Sequence, residues 1–283
     1  MAQIQVLTMW IAMALYAGAT VLYAYFFLEK RRVFSVYATI LTGAGFLCQT
    51  ASIGLKSRLT GGTELGGANS LVLAAWAIVA VYFVVEYLFK IKVYGTVLVP
   101  LALLALLVAQ LLGLRGAVVP ISAEDAALID NWRVGVHVAL IVFANAGFAI
   151  GAVASATYLI LEKQLKRHNT STLFRRLPSL AQTDVIARRA VIWAYPVYTA
   201  GLMLGVLRAI ETDVSAWFFD LRVILAGIVW LIFGVYLYLH YGRDASGRTT
   251  AVVALIGIAF VIALSFVARL LPVGFHVFGV TNP

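Results

Sequence analysis

The sequence predicts an all-α polytopic integral membrane protein with about eight transmembrane helices, one transmembrane domain over 1–283, and both termini outside. Of its 283 residues, 63% are hydrophobic and only 12% charged, too apolar a balance for a soluble domain. The apolar residues fall in long runs instead of one-sided stripes. Runs near the length of about 20 residues that a helix needs to cross hydrocarbon recur along the whole chain. Only helices or closed barrels satisfy backbone polar groups there.

The first run, 5–28, lacks a short apolar core followed by an A-x-A-like site, so it reads as a retained helix and not a cleaved signal peptide. The second, 33–55, holds the lone Cys48, which has no second cysteine for an intramolecular disulfide or a CxxC pair and reads as a small buried hydrophobe. Spans at 69–89 and 93–113 follow. A polar connection with Glu124, Asp125 and Asp130 then leads through Asn131-Trp132-Arg133 into a fifth span at 134–161, where Trp132 suits the headgroup interface.

The connection 162–189 begins Glu162-Lys163-Gln164-Leu165-Lys166-Arg167-His168 and continues through Arg175-Arg176 and Pro178 to Arg188-Arg189, too polar to span. It reads as a solvated loop with a helical extension of the fifth span; docking of a soluble partner is the alternative. The last three spans are 190–210, 221–241 and 250–270.

Alternating connections sort the charge. Lys30, Arg31, Arg32, Lys90, Lys92, Lys163, Lys166, Arg167, Arg175, Arg176, Arg188, Arg189, Arg243 and Arg248 fall on one side. Lys56, Arg58, Arg115, Arg133, Arg208, Arg222 and Arg269 fall on the other, which therefore faces out by the positive-inside rule. There Glu64, Glu124, Asp125, Asp130, Glu211, Asp213 and Asp220 cancel the basic charge, so the net +9 is cytoplasmic. Topology and attraction to anionic lipids of the bilayer explain that charge, and no nucleic-acid role is assigned.

Two of the four histidines, His137 and His276, share the outer edge. His168 belongs to the 162–189 loop, and His240 closes the seventh span at the cytoplasmic end. Neutral imidazole is a good ligand for haem iron, and two on opposite faces give a six-coordinate centre. Trp217-Phe218-Phe219-Asp220 lies between Arg208 and Arg222 and offers an aromatic platform flanked by cations, although an interfacial aromatic belt accounts for it as well. Arg133, Arg208, Arg222 and Arg269 suit propionates. His240 cannot meet His137 across about 30 Å of hydrocarbon; it is an interfacial polar residue or a ligand of a second haem. A respiratory cytochrome b would want paired histidines at both faces, and no H-E-x-x-H supports a metalloprotease.

Several stretches resemble the haem-handling cytochrome c assembly proteins, the CcsA/ResC group and its HemX-like relatives. They are Trp132-Arg133-Val134-Gly135-Val136-His137 with Ala156-Thr157-Tyr158-Leu159, Ala194-Tyr195-Pro196 with Thr199 and Gly201, Tyr238-Leu239-His240, and Leu271-Pro272-Val273-Gly274-Phe275-His276. The resemblance is clearest from about 130 onward and continues more weakly forward through Ala74-Ala75-Trp76. It implies haem b held by His137 and His276 at the outer face of a bacterial cytoplasmic membrane. Trp217, Phe219 and Asp220 match the family's W-x-W-D, and His240 matches the histidine of a membrane-buried haem. Implied partners are haem, an apocytochrome c or another membrane subunit of the assembly machinery, and the lipid bilayer. Phe219 replaces the second tryptophan, and Asp213 and Val214 stand where the fuller motif has tryptophan and glycine. These departures fit the HemX-like branch, linked to haem biosynthesis and to control of glutamyl-tRNA reductase. A haem-transfer component, a HemX-like regulator acting through the basic loop, and a transporter unrelated to haem all remain open. In each case the protein is an accessory or handling subunit more than a stand-alone enzyme.

Overall fold

A computed structural model of the chain describes residues 1–29, 31–60, 68–115, 132–167, 177–211, 217–243, 245 and 247–270. Eight long helices account for nearly all of them: α1 (Ala2–Glu29), α2 (Arg32–Thr60), α3 (Ala68–Phe89), α4 (Gly95–Arg115), α5 (Trp132–Lys166), α6 (Leu180–Glu211), α7 (Leu221–Gly242) and α8 (Gly247–Leu270). All eight are long and apolar enough to cross a membrane, and no strand occurs among the described residues. The expected polytopic all-α fold is therefore what the chain adopts.

The one sizeable shift concerns α6, which begins at Leu180 and not near 190. Charge hides its first turns, but Thr183, Ile186 and Ala187 are buried on one side while Arg189 lies on another. That spacing is helical, and Pro178 just upstream suits a helix entry. The fifth helix extends to Lys166, the expected extension beyond its span.

The chain divides into two compact units, residues 1–115 with 164–179, and residues 116–163 with 180–283. In the first, α1 and α2 run antiparallel: Gln5 meets Ser52, Tyr16 meets Gln49 and Tyr23 meets Thr39. Polar bonds recur along this apolar packing because a buried polar group in hydrocarbon must find a partner. Tyr16 donates to Gln49 Oε1 at 2.8 Å, and Gln49 Nε2 donates to the Val72 carbonyl of α3 at 2.9 Å. At the other end the Tyr23 and Tyr82 hydroxyls lie 2.7 Å apart, beside Glu86, which accepts from Thr39 Oγ1 and pairs with Lys92 Nζ at 3.3 Å.

In the second unit α5 and α6 approach closely along small residues. A Cβ on Gly147 would stand 2.8 Å from that of Ala194, and one on Gly151 would stand 3.0 Å from Val191, the close approach that small residues permit between membrane helices. Phe148 stacks on Phe233 with centroids 3.7 Å apart, and Tyr195 stacks on Trp230 at 5.7 Å. Tyr198 donates to the Ala226 carbonyl at 3.3 Å while Tyr195, one turn earlier on α6, lies against Gly234, two turns later on α7, so the two helices are antiparallel; Trp230 Nε1 also donates to Thr199 Oγ1, at 2.9 Å. Gly257 lies against the Phe233 ring and Gly247 against Tyr158. Because α8 starts five residues after α7 ends and its middle lies against the middle of α7, the two are antiparallel, and the first residue of α8 lies against the later part of α5.

Candidate functional site

Helix α5 opens at Trp132 and places Arg133 and His137 one turn apart on a common face. On α6, Gly201, Gly205 and Arg208 follow at spacings of four and three, again on one face. The two faces meet. His137 Nδ1 lies 2.7 Å from the Gly201 carbonyl oxygen. A carbonyl only accepts, so Nδ1 is the protonated nitrogen and donates, which leaves the ring's lone pair on Nε2. The ring rests over Gly205, where a Cβ would fall 2.8 Å from His137 Cε1 and 3.0 Å from Nδ1. His137 is thus held in one tautomer and one orientation, on a spot that only glycine leaves open.

One turn outward, Arg133 Nη1 pairs with Glu211 Oε1, and Arg208 Nη1 lies 3.8 Å from Glu211 Oε2. Glu211 thereby ties together Arg133 of α5 and Arg208 of α6. All three groups are partly exposed, so the cluster is worth at most about 1 kcal/mol to stability. Its importance lies in where it holds the cations.

Antiparallel packing of α6 and α7 brings Trp217–Asp220 to this same end of the unit. Trp217–Phe219 is a single 3₁₀ turn, with Phe218 and Phe219 rings 4.5 Å apart and Phe219 72% exposed. Asp220 is 9% exposed, and its Oδ1 accepts the Arg222 backbone N–H at 2.7 Å, capping α7. The aspartate of the motif therefore has a local structural duty: it anchors the aromatic turn to the helix. Arg222 follows, half-buried, in the first turn.

His276 lies outside the described residues, as do His168, Glu64, Glu124, Asp125, Asp130, Asp213 and Val214. The last described residue, Leu270, ends α8 at the His137 end of the unit. The Arg269 side chain is also outside the described set.

His240 sits at the opposite end. From His137 to Tyr158, which packs on Gly247, α5 rises about 30 Å at 1.5 Å per residue, so the two histidines cannot share an iron. The His240 ring lies nearly parallel to Tyr236, at 6.4 Å and 8°. Its Nδ1 is buried without a hydrogen-bond partner among the described residues, as are Arg188 Nε and Ser155 Oγ. Unlike His137, no bond from Nδ1 fixes its tautomer.

Sequence reasoning missed Gly201 and Gly205 as the support of His137, and missed Glu211 as the link between arginines. The small-xxx-small spacing of Gly201-Leu202-Met203-Leu204-Gly205 carried a signal for the first.

The Cytochrome C assembly protein family profile matches residues 65–276. The chain is similar to the cytochrome c biogenesis protein CcsA of Prochlorococcus marinus (strain MIT 9303), with 26% identity over 87% of this chain and 85% of the relative. It is 25% identical to CcsA of Microcystis aeruginosa, over 82% of this chain and 84% of that one. It is 27% identical to protein HemX of Brevibacillus brevis, over 80% and 82%. With three quarters of its length matched and eight helices fit to span a bilayer, the chain is a multi-pass membrane protein that belongs to the cytochrome c assembly protein family.

Proposed function

We propose that this protein holds haem b at the outer face of a bacterial cytoplasmic membrane, between His137 and His276, for haem transfer in cytochrome c maturation. The observation that carries this reading is the 2.7 Å bond from His137 Nδ1 to the Gly201 carbonyl. Metal-binding histidines characteristically donate their other ring N–H to such an acceptor, which fixes the tautomer and raises the basicity of the ligating nitrogen. The fit extends to the surroundings: Gly205 leaves room for the ring, and Arg133 and Arg208 are held one to two turns away by Glu211.

In this reading His137 Nε2 and His276 would hold the haem iron. Arg133, Arg208 and Arg222 would neutralise propionates, and Trp217 with Phe219 would supply apolar contacts to the macrocycle. Asp220 positions the aromatic turn by capping α7. Bound there, haem supplies the iron and the vinyl groups for attachment; an apocytochrome c and a reductant come from partner subunits. His240, at the inner end, is a ligand for a second haem or for one entering from the cytoplasm. The basic residues about Lys163–Arg167 and Arg188–Arg189 support a cytoplasmic position for that end, with both termini outside.

The test is an absorption spectrum of the protein purified in mild detergent. A Soret band is expected, and its loss in both His137→Ala and His276→Ala supports the site. A colourless protein after haem loading defeats it.

The similarity to HemX over 80% of the chain favours a second reading, a regulator of haem synthesis acting through 162–189. Capture of a soluble haem-pathway enzyme, abolished when the loop's basic residues are neutralised, would select it.

A further inference from the structure

Near the start of α6, Asp184 and Arg188 stand four residues apart and share one face of the helix. Spacing and order favour an ion pair within the helix, yet neither side chain makes an ion pair or a hydrogen bond among the described residues. Both are partly exposed, although Arg188 Nε is itself buried. Tyr236 of α7 lies beside them, and its hydroxyl feels both charges. Asp184 lines a narrow crevice together with Tyr236, Thr250 and Ser155. Thr250 already donates to the Gly247 carbonyl at 3.1 Å. Ser155 is 1% exposed, and its hydroxyl has no hydrogen-bond partner among the described residues. A carboxylate and a buried hydroxyl thus stand unmet on one side, with an unmet guanidinium one turn away.

Depth fixes what can meet them. From Arg208 back to Arg188 the helix spans about 30 Å at 1.5 Å per residue, the thickness of the hydrocarbon core. Arg188 therefore stands at the membrane boundary, and Asp184 about 6 Å further toward water, among the lipid headgroups. A simple anion would leave Asp184 unpaired and be repelled by it; a simple cation would do the same at Arg188. A headgroup with a phosphate close to the hydrocarbon and an ammonium beyond it carries both charges in the order the helix presents them. Guanidinium suits phosphate because its planar N–H fork matches the oxygens. A primary ammonium has three N–H donors, and the Asp184 carboxylate and Ser155 hydroxyl both accept. We propose that this face of α6 binds phosphatidylethanolamine, with the phosphate at Arg188 and the ammonium at Asp184 and Ser155. The site includes neither His240 nor any residue of the outer haem site, so it stands apart from the haem reading.

The full chain, purified in neutral detergent and delipidated, is mixed with phosphatidylethanolamine, phosphatidylcholine or phosphatidylglycerol of the same acyl chains, and bound lipid is measured by native mass spectrometry. Phosphatidylethanolamine is expected to bind about three- to fivefold more tightly than either of the others, the range of one ion pair near a surface. Phosphatidylcholine has the charge but no N–H to donate, and phosphatidylglycerol has no cation. Asp184→Asn removes the preference for phosphatidylethanolamine, and Arg188→Gln weakens its binding about tenfold. The comparison of lipids on the unaltered chain needs no variant; where a charge variant does not fold, Ser155→Ala serves in its place and reduces the preference. Equal binding of phosphatidylcholine, tighter binding of phosphatidylglycerol, or a preference unchanged in a folded variant overturns the proposal.

Discussion

His137 donates through Nδ1 to the Gly201 carbonyl at 2.7 Å, a side-chain bond to a main-chain acceptor 64 residues away. The bond spans two helices, so it ties the direction of Nε2 to the packing of α5 on α6. In the proposed site a ligand held in this way would not reorganise when metal arrives, and loss of comparable support typically costs about 10- to 100-fold in metal affinity.

Gly205→Ala tests that support without touching the histidine. The added Cβ falls 2.8 Å from His137 Cε1 and displaces the ring. Haem content per protein, read by pyridine haemochrome, is expected to fall about tenfold or more. Gly135→Ala on α5, whose Cβ meets nothing within 4 Å, leaves it unchanged.

Glu211 pairs with Arg133 and Arg208, so in the proposed site it would compete with propionates for both. Glu211→Gln is expected to tighten haem binding about three- to tenfold, the range of one charge-assisted contact near a surface. Titration with haem dimethyl ester, which lacks the propionate charges, shows no such gain. Arg208→Gln weakens binding of haem more than of the ester.

At Asp220 two duties separate. Asp220→Asn retains a good helix cap, whereas Asp220→Ala loses about 1 kcal/mol of stability. If the aspartate acts by anchoring the aromatic turn, the Asn variant keeps its haem and its unfolding midpoint in detergent, and the Ala variant loses part of both.

Gly95 carries a stability prediction confined to the first unit. Its Cβ would fall 2.5 Å from Tyr23 Cζ and 2.6 Å from the Tyr82 hydroxyl, across the 2.7 Å bond between the two phenols. Gly95→Ala is expected to cost about 1–3 kcal/mol by overpacking. Gly54→Ala on α2, with open space around it, is neutral or stabilises by about 0.5–1 kcal/mol through helix propensity. Unfolding titrations in mixed micelles compare the two.

The helices were legible because each is a long apolar run, and seven of the eight start within three residues of the expected position. The start of α6 was hidden because Arg188 and Arg189 share its first turns with the buried Ile186 and Ala187, and charge outweighs periodicity in a hydropathy reading. At the candidate site, residue type drew attention to His137, whose chemistry is intrinsic to imidazole. Its acceptor is a main-chain carbonyl, which any residue provides, so the Gly201–Gly205 spacing marked a place of close helix approach without marking that carbonyl as the acceptor. Arg133 and Glu211 lie 78 residues apart, and only the antiparallel register of α5 and α6 joins them. Asp220 was legible as a motif position, but its capping role depends on where α7 begins.

The most direct measurement is chemical rescue at the ligand itself. His137→Gly removes the imidazole and leaves its place over Gly205. Purified with haem, this variant is expected to show a weakened, high-spin spectrum, and free imidazole at millimolar concentration restores the six-coordinate low-spin Soret band. Imidazole rescues His276→Gly in the same way. A low-spin spectrum that persists in His137→Gly without imidazole would contradict His137 as an axial ligand.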